Sequence, residues 1–329
     1  MIGQAGDRRR LLPSIDLEIS PMPATRTLSG IIPPVCTPFG EDGELDVPSL
    51  ERLIGHLLDH GVHGLFMLGS TSETATLTDR QRATILEVAV GTVAGQVPVL
   101  AGVIDLSTAR MIEHAESARR LGVDGLVATA PFYIRPSQDE IAAHYQTLRA
   151  AVDLPLLAYD IPQNVHLKLE RGTIATLAHE GVIDGLKDSS GDEGNFRGVL
   201  LDTRDVDGFV AFTGSERMVD ALLQAGAHGC VPGIGNVDPA GFVRIYDAVK
   251  AGDLDAARAD QDRLFRLFAI TRQATRKEVG PTASALGGFK TALQLLGVIA
   301  TNVPGRPMTR LNEDEAAGVR AVLVEAGLL

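Results

Sequence analysis

Short apolar segments led by Gly or Pro recur from residue 30 onward, and amphipathic stretches of helical length separate them. The apolar segments are residues 30–37, 64–69, 98–103, 125–130, 155–161, 185–190, 209–214 and 229–233. Nearly continuous apolar strands of this length are typical of a parallel sheet that is buried on both faces. Eight strand–helix units in succession predict a (β/α)8 TIM barrel, with a doubly wound open sheet as the alternative.

Glycines and capping residues indicate where these helices begin and end. A helix-ending Gly precedes a strand-opening Gly four times, and the first Gly of each pair can adopt the left-handed conformation that ends a helix. The pairs are Gly61/Gly64, Gly122/Gly125, Gly181/Gly185 and Gly226/Gly229. Helix starts are predicted by capping signals at Thr78 with Gln81, Ser137 with Glu140, and Asp238 with Pro239.

The order of these patterns predicts three regions. Residues 1–28 mix Pro, Ser, Arg and acidic residues without periodicity, which predicts a flexible extension. Residues 29–250 are assigned to the barrel, and residues 251–329 to a C-terminal helical appendage. Helical patterns lie at 240–251, 254–273 and 313–327, and we expect turns at Gly287-Gly288 and at residues 304–307.

Composition excludes several classes of partner. A net charge of −12 disfavours binding to nucleic acid or to anionic membranes, and no apolar run is long enough to span a bilayer. Without a recognisable secretory signal, we expect a cytoplasmic protein. The two cysteines, Cys36 and Cys230, both fall in predicted strands and are expected to be buried, unreactive thiols. No Cys/His spacing predicts a metal site.

The carboxyl ends of barrel strands are where catalytic residues are found, and Lys187 is the most informative residue there. The chain has only five lysines, and this one alone lies within a predicted core strand. A lysine among apolar neighbours can lose its proton and attack a carbonyl carbon. The alternative is an ion pair at the strand end, although Asp188 should point to the opposite face of the strand.

Two further strand ends carry candidate residues. Tyr159 closes the fifth predicted strand beside Lys187, where a phenol could transfer protons. Ser70 and Thr71 follow the second strand, where hydroxyls and turn N–H groups could bind a carboxylate. The alternatives are an ordinary strand-end Tyr and a simple capping box between Ser70 and Glu73.

Four segments at strand ends resemble motifs of one enzyme family. They are Gly-Ser-Thr-Ser-Glu at 69–73, Pro-Phe-Tyr-Ile-Arg-Pro-Ser at 131–137, Tyr-Asp-Ile-Pro at 159–162, and Gly-Leu-Lys-Asp-Ser-Ser-Gly at 185–191. Together they resemble the Schiff-base aldolases and lyases that include dihydrodipicolinate synthase, N-acetylneuraminate lyase and 2-keto-3-deoxygluconate aldolase. The resemblance covers residues 30–329.

This resemblance implies a role for each matching residue. Lys187 would form the Schiff base, Tyr159 would shuttle protons, and Ser70 and Thr71 would bind the carboxylate of a pyruvate-like 2-oxo acid. Tyr133 would complete the proton relay from a neighbouring subunit, because family members usually form homotetramers built from dimers. Other substrate contacts would come from Asn164, Ser189, Gly214 and Val231. No cofactor or metal is implied, because the iminium itself is the electron sink.

Departures from the family motifs favour one substrate class. Ser72 replaces the usual Gly, Asp160 the usual Asn, and Asn164 an Arg that dihydrodipicolinate synthases use for substrate binding. Asn cannot supply the charge that a second carboxylate needs. We therefore favour an aldolase that cleaves a 2-keto-3-deoxy sugar acid into pyruvate and an aldehyde, with Asp160 and His166 near the distal part of the substrate.

Other functions stay open at this point. The same iminium would serve a dehydratase of a keto-deoxy acid or a 4-hydroxy-tetrahydrodipicolinate (dihydrodipicolinate) synthase. The unusual Ser72 and Asp160 also fit a barrel that binds a 2-oxo acid without turning it over. A metal-dependent lyase is disfavoured, because the strand ends lack a cluster of metal ligands.

Overall fold

The computed structural model describes residues 28–329. The predicted flexible extension therefore lies outside the described residues, except for Leu28, which packs against the barrel interior. Eight parallel strands form the sheet, and a helix follows each of them. The strands are β1 (Gly30–Ile31), β2 (Leu65–Met67), β3 (Val99–Gly102), β4 (Gly125–Thr129), β5 (Leu156–Asp160), β6 (Gly185–Asp188), β7 (Val210–Thr213) and β8 (Gly229–Cys230).

The sheet closes on itself as a (β/α)8 TIM barrel. Its strand order is β1-β8-β7-β6-β5-β4-β3-β2, so from β2 to β8 each strand pairs with its sequence neighbour, and β1 pairs with β8. An isolated parallel bridge between Pro34 and Phe66 joins the remaining edges beyond the end of β1. The predicted barrel is confirmed, and the open-sheet alternative is wrong.

The first and last strands are shorter than the sequence pattern predicts. Pro33 and Pro34 follow β1 and Pro232 follows β8, and proline has no N–H to donate to a sheet ladder. Cys36 consequently lies beyond β1 rather than in a strand, whereas Cys230 belongs to β8. Both thiols are fully buried as expected, and burial raises the pKa of Cys36 to about 12.

Twelve helices are described in residues 28–329. They are α1 (Val47–Asp59), α2 (Asp79–Val93), α3 (Thr108–Arg120), α4 (Gln138–Ala151), α5 (Pro162–Val165), α6 (Arg171–His179), α7 (Glu193–Asp202), α8 (Val219–Gln224), α9 (Pro239–Ala251), α10 (Leu254–Leu267), α11 (Pro281–Leu295) and α12 (Glu313–Glu325). The predicted caps are confirmed: α2 and α4 begin with capping boxes, and Asp238 caps α9. Among these helices, none is long and apolar enough to cross a membrane.

Strand alternation divides the core into two layers. Inward-facing residues such as Phe66, Leu157 and Phe212 fill the barrel, and the larger outer layer lies between the strands and the helices. The predicted left-handed glycines are confirmed, with positive φ at Gly61, Gly122, Gly181 and Gly226. Because all the paired strands are parallel, their carboxyl ends lie at one face of the barrel.

The C-terminal region differs from its prediction at one point. Gly287 and Gly288 lie inside α11 and do not form a turn. A Cβ on Gly288 would lie 2.2 Å from the carbonyl oxygen of Ile270, so this glycine lets α11 contact the 3-10 helix Phe268–Arg272 directly. The predicted turn at residues 304–307 lies between α11 and α12. The division at residue 250 stays a prediction, since α9 and α10 pack against each other.

Candidate active site

Lys187 and Tyr159 lie side by side in the barrel interior. They are register partners across β6 and β5, and only 4% and 2% of their surfaces are exposed. Nζ of Lys187 lies 3.8 Å from the ring centroid of Tyr159 and 4.9 Å from that of Phe66. The amine is therefore surrounded by aromatic faces at the carboxyl end of the sheet.

The next residues along these strands face the helices instead. Asp160 is fully buried and ion-paired with Lys168, whose Nζ also lies 3.8 Å from Oδ2 of Asp188. Burial raises the pKa of Asp160 to about 6. The expectation that Asp160 contacts the distal part of a substrate is wrong, because strand alternation turns it away from the barrel interior.

The alternative that Lys187 forms an ion pair at the strand end is also wrong. Among residues 28–329, no carboxylate forms an ion pair with this lysine, and Asp188 points to the opposite face as its position on the strand requires. Lys187 thus differs from the other buried lysine, Lys290, which is paired with Glu73.

The loop after β2 carries Ser70 and Thr71, which are partly exposed, next to the buried Ser72. Ser72 is fully buried, and its Oγ donates to the carbonyl oxygen of Val35 at 2.6 Å. The same Oγ accepts from the N–H of Gly69 at 3.2 Å. The hydroxyl that replaces the usual glycine therefore ties the loop to the segment after β1.

Glu73 has a different role from the one that a capping box would give it. The backbone of Glu73 adopts a left-handed conformation with φ of 60°, and the N–H of Glu73 donates to the carbonyl oxygen of Ser70 at 3.1 Å. Its carboxylate turns away from Ser70 and pairs with Lys290 of α11. The capping-box alternative for Ser70 and Glu73 is therefore wrong.

A cleft of about 690 Å³ opens above the strand ends. The barrel contributes Ser70, Thr71, Asn164 and Glu216 to its lining. The C-terminal region forms the opposite wall with residues that include Phe268, Thr271, Arg272, Thr282, Ser284 and Phe289. A smaller cavity of about 330 Å³ lies at the amino ends of the strands, around Pro155, Gly181 and Gly208. Barrel active sites lie at the carboxyl ends, so the larger cleft is the candidate site.

Other predicted site residues fall in two groups. Ser189, Gly214 and Val231 lie at neighbouring strand ends, and a Cβ on Gly214 would lie 2.1 Å from Oγ of Ser189. Only glycine permits that approach. Tyr133 and His166 are exposed, both have positive φ, and neither lines the cleft. A substrate contact of His166 stays a prediction.

Comparison with known proteins identifies the family. Residues 27–326 match the dihydrodipicolinate synthetase family. An uncharacterized DapA-like lyase of Halobacterium salinarum is 35% identical over 92% of this chain and 95% of that protein. A 4-hydroxy-tetrahydrodipicolinate synthase of Methanoculleus marisnigri is 34% identical over 91% and 99%. The chain belongs to the dihydrodipicolinate synthetase family.

Solved structures of the dihydrodipicolinate synthetase family share the fold. YagE, a prophage protein of that family from E. coli K12 whose crystal structure contains pyruvate, superposes with a TM-score of 0.86 at 27% identity, over 92% of this chain and 100% of that chain. The predicted family resemblance is confirmed over nearly the whole chain, and the protein is a lyase of this family.

Sequence reasoning missed the ionisable residues Glu216 and Arg272 in the cleft of this family member. Glu216 follows Gly214-Ser215, and its Oε2 accepts from the N–H of Ile234 at 2.8 Å. Burial raises the pKa of its carboxyl to about 7, although the positive charge of Lys187 acts in the opposite direction. Its position two residues after Gly214, which ends the seventh apolar segment, was the signal. Perturbed carboxyls in clefts are typical of functional sites.

The Glu73–Lys290 pair was missed as well. Lys290 interrupts an otherwise apolar stretch of α11, and a lone lysine in such a stretch indicates a buried charge that needs a partner. The partner lies far away in the sequence, so only the fold reveals it. Among residues 28–329, no group of three or more His, Cys, Asp or Glu is arranged to hold a metal ion.

Proposed function

We propose that the protein forms a Schiff base between Nζ of Lys187 and the carbonyl carbon of a pyruvate-like 2-oxo acid. One observation carries this proposal. The amine is buried against the rings of Tyr159 and Phe66, and no ion pair with a carboxylate neutralises it within residues 28–329. A buried amine that no carboxylate holds is available to attack a carbonyl carbon.

The favoured reaction is reversible cleavage of a 2-keto-3-deoxy sugar acid. The amine of Lys187 adds to the C2 carbonyl, and loss of water leaves an iminium. The C3–C4 bond then breaks, its electron pair enters the iminium to give an enamine, and the C4 hydroxyl loses a proton as it becomes an aldehyde. Protonation at C3 and hydrolysis release pyruvate and restore the free amine. Tyr159 is the proposed proton shuttle for these steps.

The carboxylate of the 2-oxo acid is proposed to bind Ser70 and Thr71. Both residues line the cleft on a loop whose neighbour Ser72 is hydrogen-bonded into the core. Hydroxyls and turn N–H groups can hold an anion without a cation. Ser189, Gly214 and Val231 are proposed to line the pocket for the pyruvyl part of the substrate, and Asn164 to contact its distal part.

Tyr133 is proposed to act in the active site of a neighbouring subunit. Its side chain is 93% exposed and its φ is +78°, a conformation that bulky residues hold only where surrounding contacts enforce it. An exposed aromatic on strained backbone supports a contact with a second copy of the chain. We accordingly propose a homotetramer built from dimers, acting in the cytoplasm without cofactor or metal.

A second candidate is 4-hydroxy-tetrahydrodipicolinate synthase, the activity for which the Methanoculleus marisnigri relative is named. Asn164 argues against it, because an amide cannot neutralise a second carboxylate. Arg272 argues for it, because this exposed cation lines the same cleft. A dehydratase that uses the same iminium is the third candidate, and a binding protein without turnover is the fourth.

Trapping with borohydride tests the Schiff base. The protein is incubated with pyruvate and borohydride, and intact and peptide masses are recorded for the wild type and for Lys187→Ala. We expect a reduced pyruvate adduct on the peptide that contains Lys187 and no adduct in the variant. A folded wild-type protein that gives no adduct contradicts the proposal.

A substrate panel then separates the candidate reactions. Pyruvate release from 2-keto-3-deoxy sugar acids is measured beside consumption of pyruvate with aspartate semialdehyde. We expect turnover of the sugar acids with pyruvate as the product. Dehydrated 2-oxo acid without pyruvate would indicate the dehydratase, faster reaction with aspartate semialdehyde the synthase, and saturable binding without any product the binding protein.

A further inference from the structure

Lys290 is the one ionisable side chain of α11, and it is almost completely buried. Only 1% of its surface is exposed, and its Nζ is ion-paired with Oε1 of Glu73. The same Nζ donates to the carbonyl oxygen of Val303 at 2.8 Å and lies 4.4 Å from the ring centroid of Phe39. Burial lowers the pKa of this lysine, and the charge of Glu73 opposes that shift. Of these contacts, the one with Glu73 joins Lys290 to the loop after β2.

The second oxygen of the Glu73 carboxylate binds another part of the C-terminal region. Oε2 accepts from the N–H of Gly305 at 2.5 Å. A Cβ on Gly305 would lie 2.3 Å from Oγ1 of Thr76, so the segment around residue 305 packs directly on the loop after β2. The carboxylate of Glu73 therefore joins α11 and the 303–305 segment to this one loop.

Glu73 is in turn connected to the residues that line the cleft. Its N–H donates to the carbonyl oxygen of Ser70 at 3.1 Å, and Thr71 lies between the two in sequence. A change in the position of Glu73 must move this tight turn, because its left-handed backbone at φ 60° leaves little room for adjustment. Neither Lys290 nor Glu73 lines the cleft, so any effect on a ligand must pass through the loop.

We propose that Lys290 is a positioning residue that acts through Glu73 to hold Ser70 and Thr71 in the geometry that binds the carboxylate of the 2-oxo acid. The inference rests on the proposed function and assigns part of that binding site to the C-terminal helical region. A buried ion pair fixes geometry in this way because leaving either charge unpaired in the core is unfavourable.

The test measures affinity for pyruvate and amount of active protein separately. Trapping by borohydride at Lys187 is followed against pyruvate concentration, which gives a half-saturating concentration and a maximal rate. For Lys290→Met we expect the half-saturating concentration to rise about tenfold, as for residues coupled within one network. The maximal rate per folded molecule should change little. Loss of folded protein alone would lower the yield of adduct without shifting half-saturation.

Two further variants complete the experiment. Glu73→Gln keeps an acceptor for the N–H of Gly305 but removes the ion pair, and should shift half-saturation in the same direction by about threefold. If Lys290→Met does not fold, the half-saturating pyruvate concentration of Glu73→Gln alone tests the positioning role. Arg263→Met is the matched control, because it breaks the ion pair between a half-buried arginine and the buried Asp238 without touching the loop after β2. It should lower stability and leave half-saturation unchanged.

The outcomes separate the two proposals. Wild-type trapping with unchanged half-saturation in both Lys290→Met and Glu73→Gln overturns the positioning role and leaves the Schiff base intact. An equal shift in Arg263→Met also overturns it, because general destabilisation then explains the effect. Absence of trapping in the wild type overturns the proposed function, and the positioning role with it.

Discussion

The two most buried lysines of the protein have opposite surroundings. Lys290 on α11 is held by the carboxylate of Glu73 and by a main-chain carbonyl. Lys187 on β6 lies against the rings of Tyr159 and Phe66, and no carboxylate pairs with it among the described residues. A lysine held by a carboxylate fixes structure, whereas one without such a partner is available for covalent chemistry. Burial alone therefore does not distinguish a reactive lysine from a structural one.

Substitution of Lys187 is the strongest test of this comparison. Lys187→Met removes the nucleophile, so we expect turnover of any accepted 2-oxo acid to fall by at least about a thousandfold. Stability should be unchanged or slightly higher, because an apolar side chain replaces a buried amine that has no ion-pair partner. Turnover and urea unfolding are measured on the same sample. Residual turnover within tenfold of wild type would make Lys187 a second structural lysine.

The same substitution at the other lysine should have the reverse signature. Lys290→Met leaves Glu73 buried and unpaired, and we expect the free energy of unfolding to fall by about 4 kcal/mol. Adding Glu73→Gln to this variant should recover a large part of the loss, because the amide is neutral and still accepts from Gly305. Urea unfolding of the single and double variants measures both values. A loss below that of Arg263→Met would contradict the comparison.

The sequence predicts the surroundings of Lys187 much better than those of Lys290. Lys187 lies in a strand bounded by Gly185 and polar residues, and its neighbour Tyr159 closes the preceding strand, so local pattern and strand order bring the two together. Glu73 and Lys290 are joined only by docking of the C-terminal region. No local pattern encodes such a contact, and the ion pair was therefore not predicted.

The same limit explains the errors in the fold. The pair Gly287-Gly288 predicts a turn, but in the structure Gly288 lets α11 pack against the carbonyl of Ile270. Close packing and a turn both require glycine, and sequence alone does not separate them. Asp160 was assigned to the cleft because it lies at a strand end, although strand alternation points it toward Lys168.

Glu216 gives a further test of the surroundings of Lys187, because the charge of Lys187 lowers the pKa of this cleft carboxyl. Its folded pKa of about 7 is above the usual value of 4.5, so its contribution to stability is complete below pH 4.5 and is lost as pH rises through 7. Glu216→Gln should therefore be more stable than wild type by about 3 kcal/mol at pH 8, with the titration-linked part of the difference absent at pH 4.

Unfolding in urea at a series of pH values measures this difference. Lys187→Met provides the matched variant, because loss of the lysine charge should raise the pKa of Glu216 further and move the transition to higher pH. A difference between Glu216→Gln and wild type that does not vary with pH would show that Glu216 does not titrate in this range. An unmoved transition in Lys187→Met would show that the two groups do not interact.

The smallest effect is expected at the other lysine–carboxylate pair, between Lys168 and Asp160. This lysine is about a third exposed and also lies 3.8 Å from Asp188, so it keeps water and a second carboxylate when Asp160 is neutralised. Asp160→Asn restores the residue usual in the family and removes both a buried carboxylate, whose pKa burial has raised, and its ion pair with Lys168. These two changes act on stability in opposite directions, so we expect the free energy of unfolding at pH 8 to change by less than about 1 kcal/mol. Because Asp160 faces the helices, turnover should stay within about twofold of wild type. A tenfold fall in turnover without loss of stability would instead connect this pair to Lys187 through the adjoining strands.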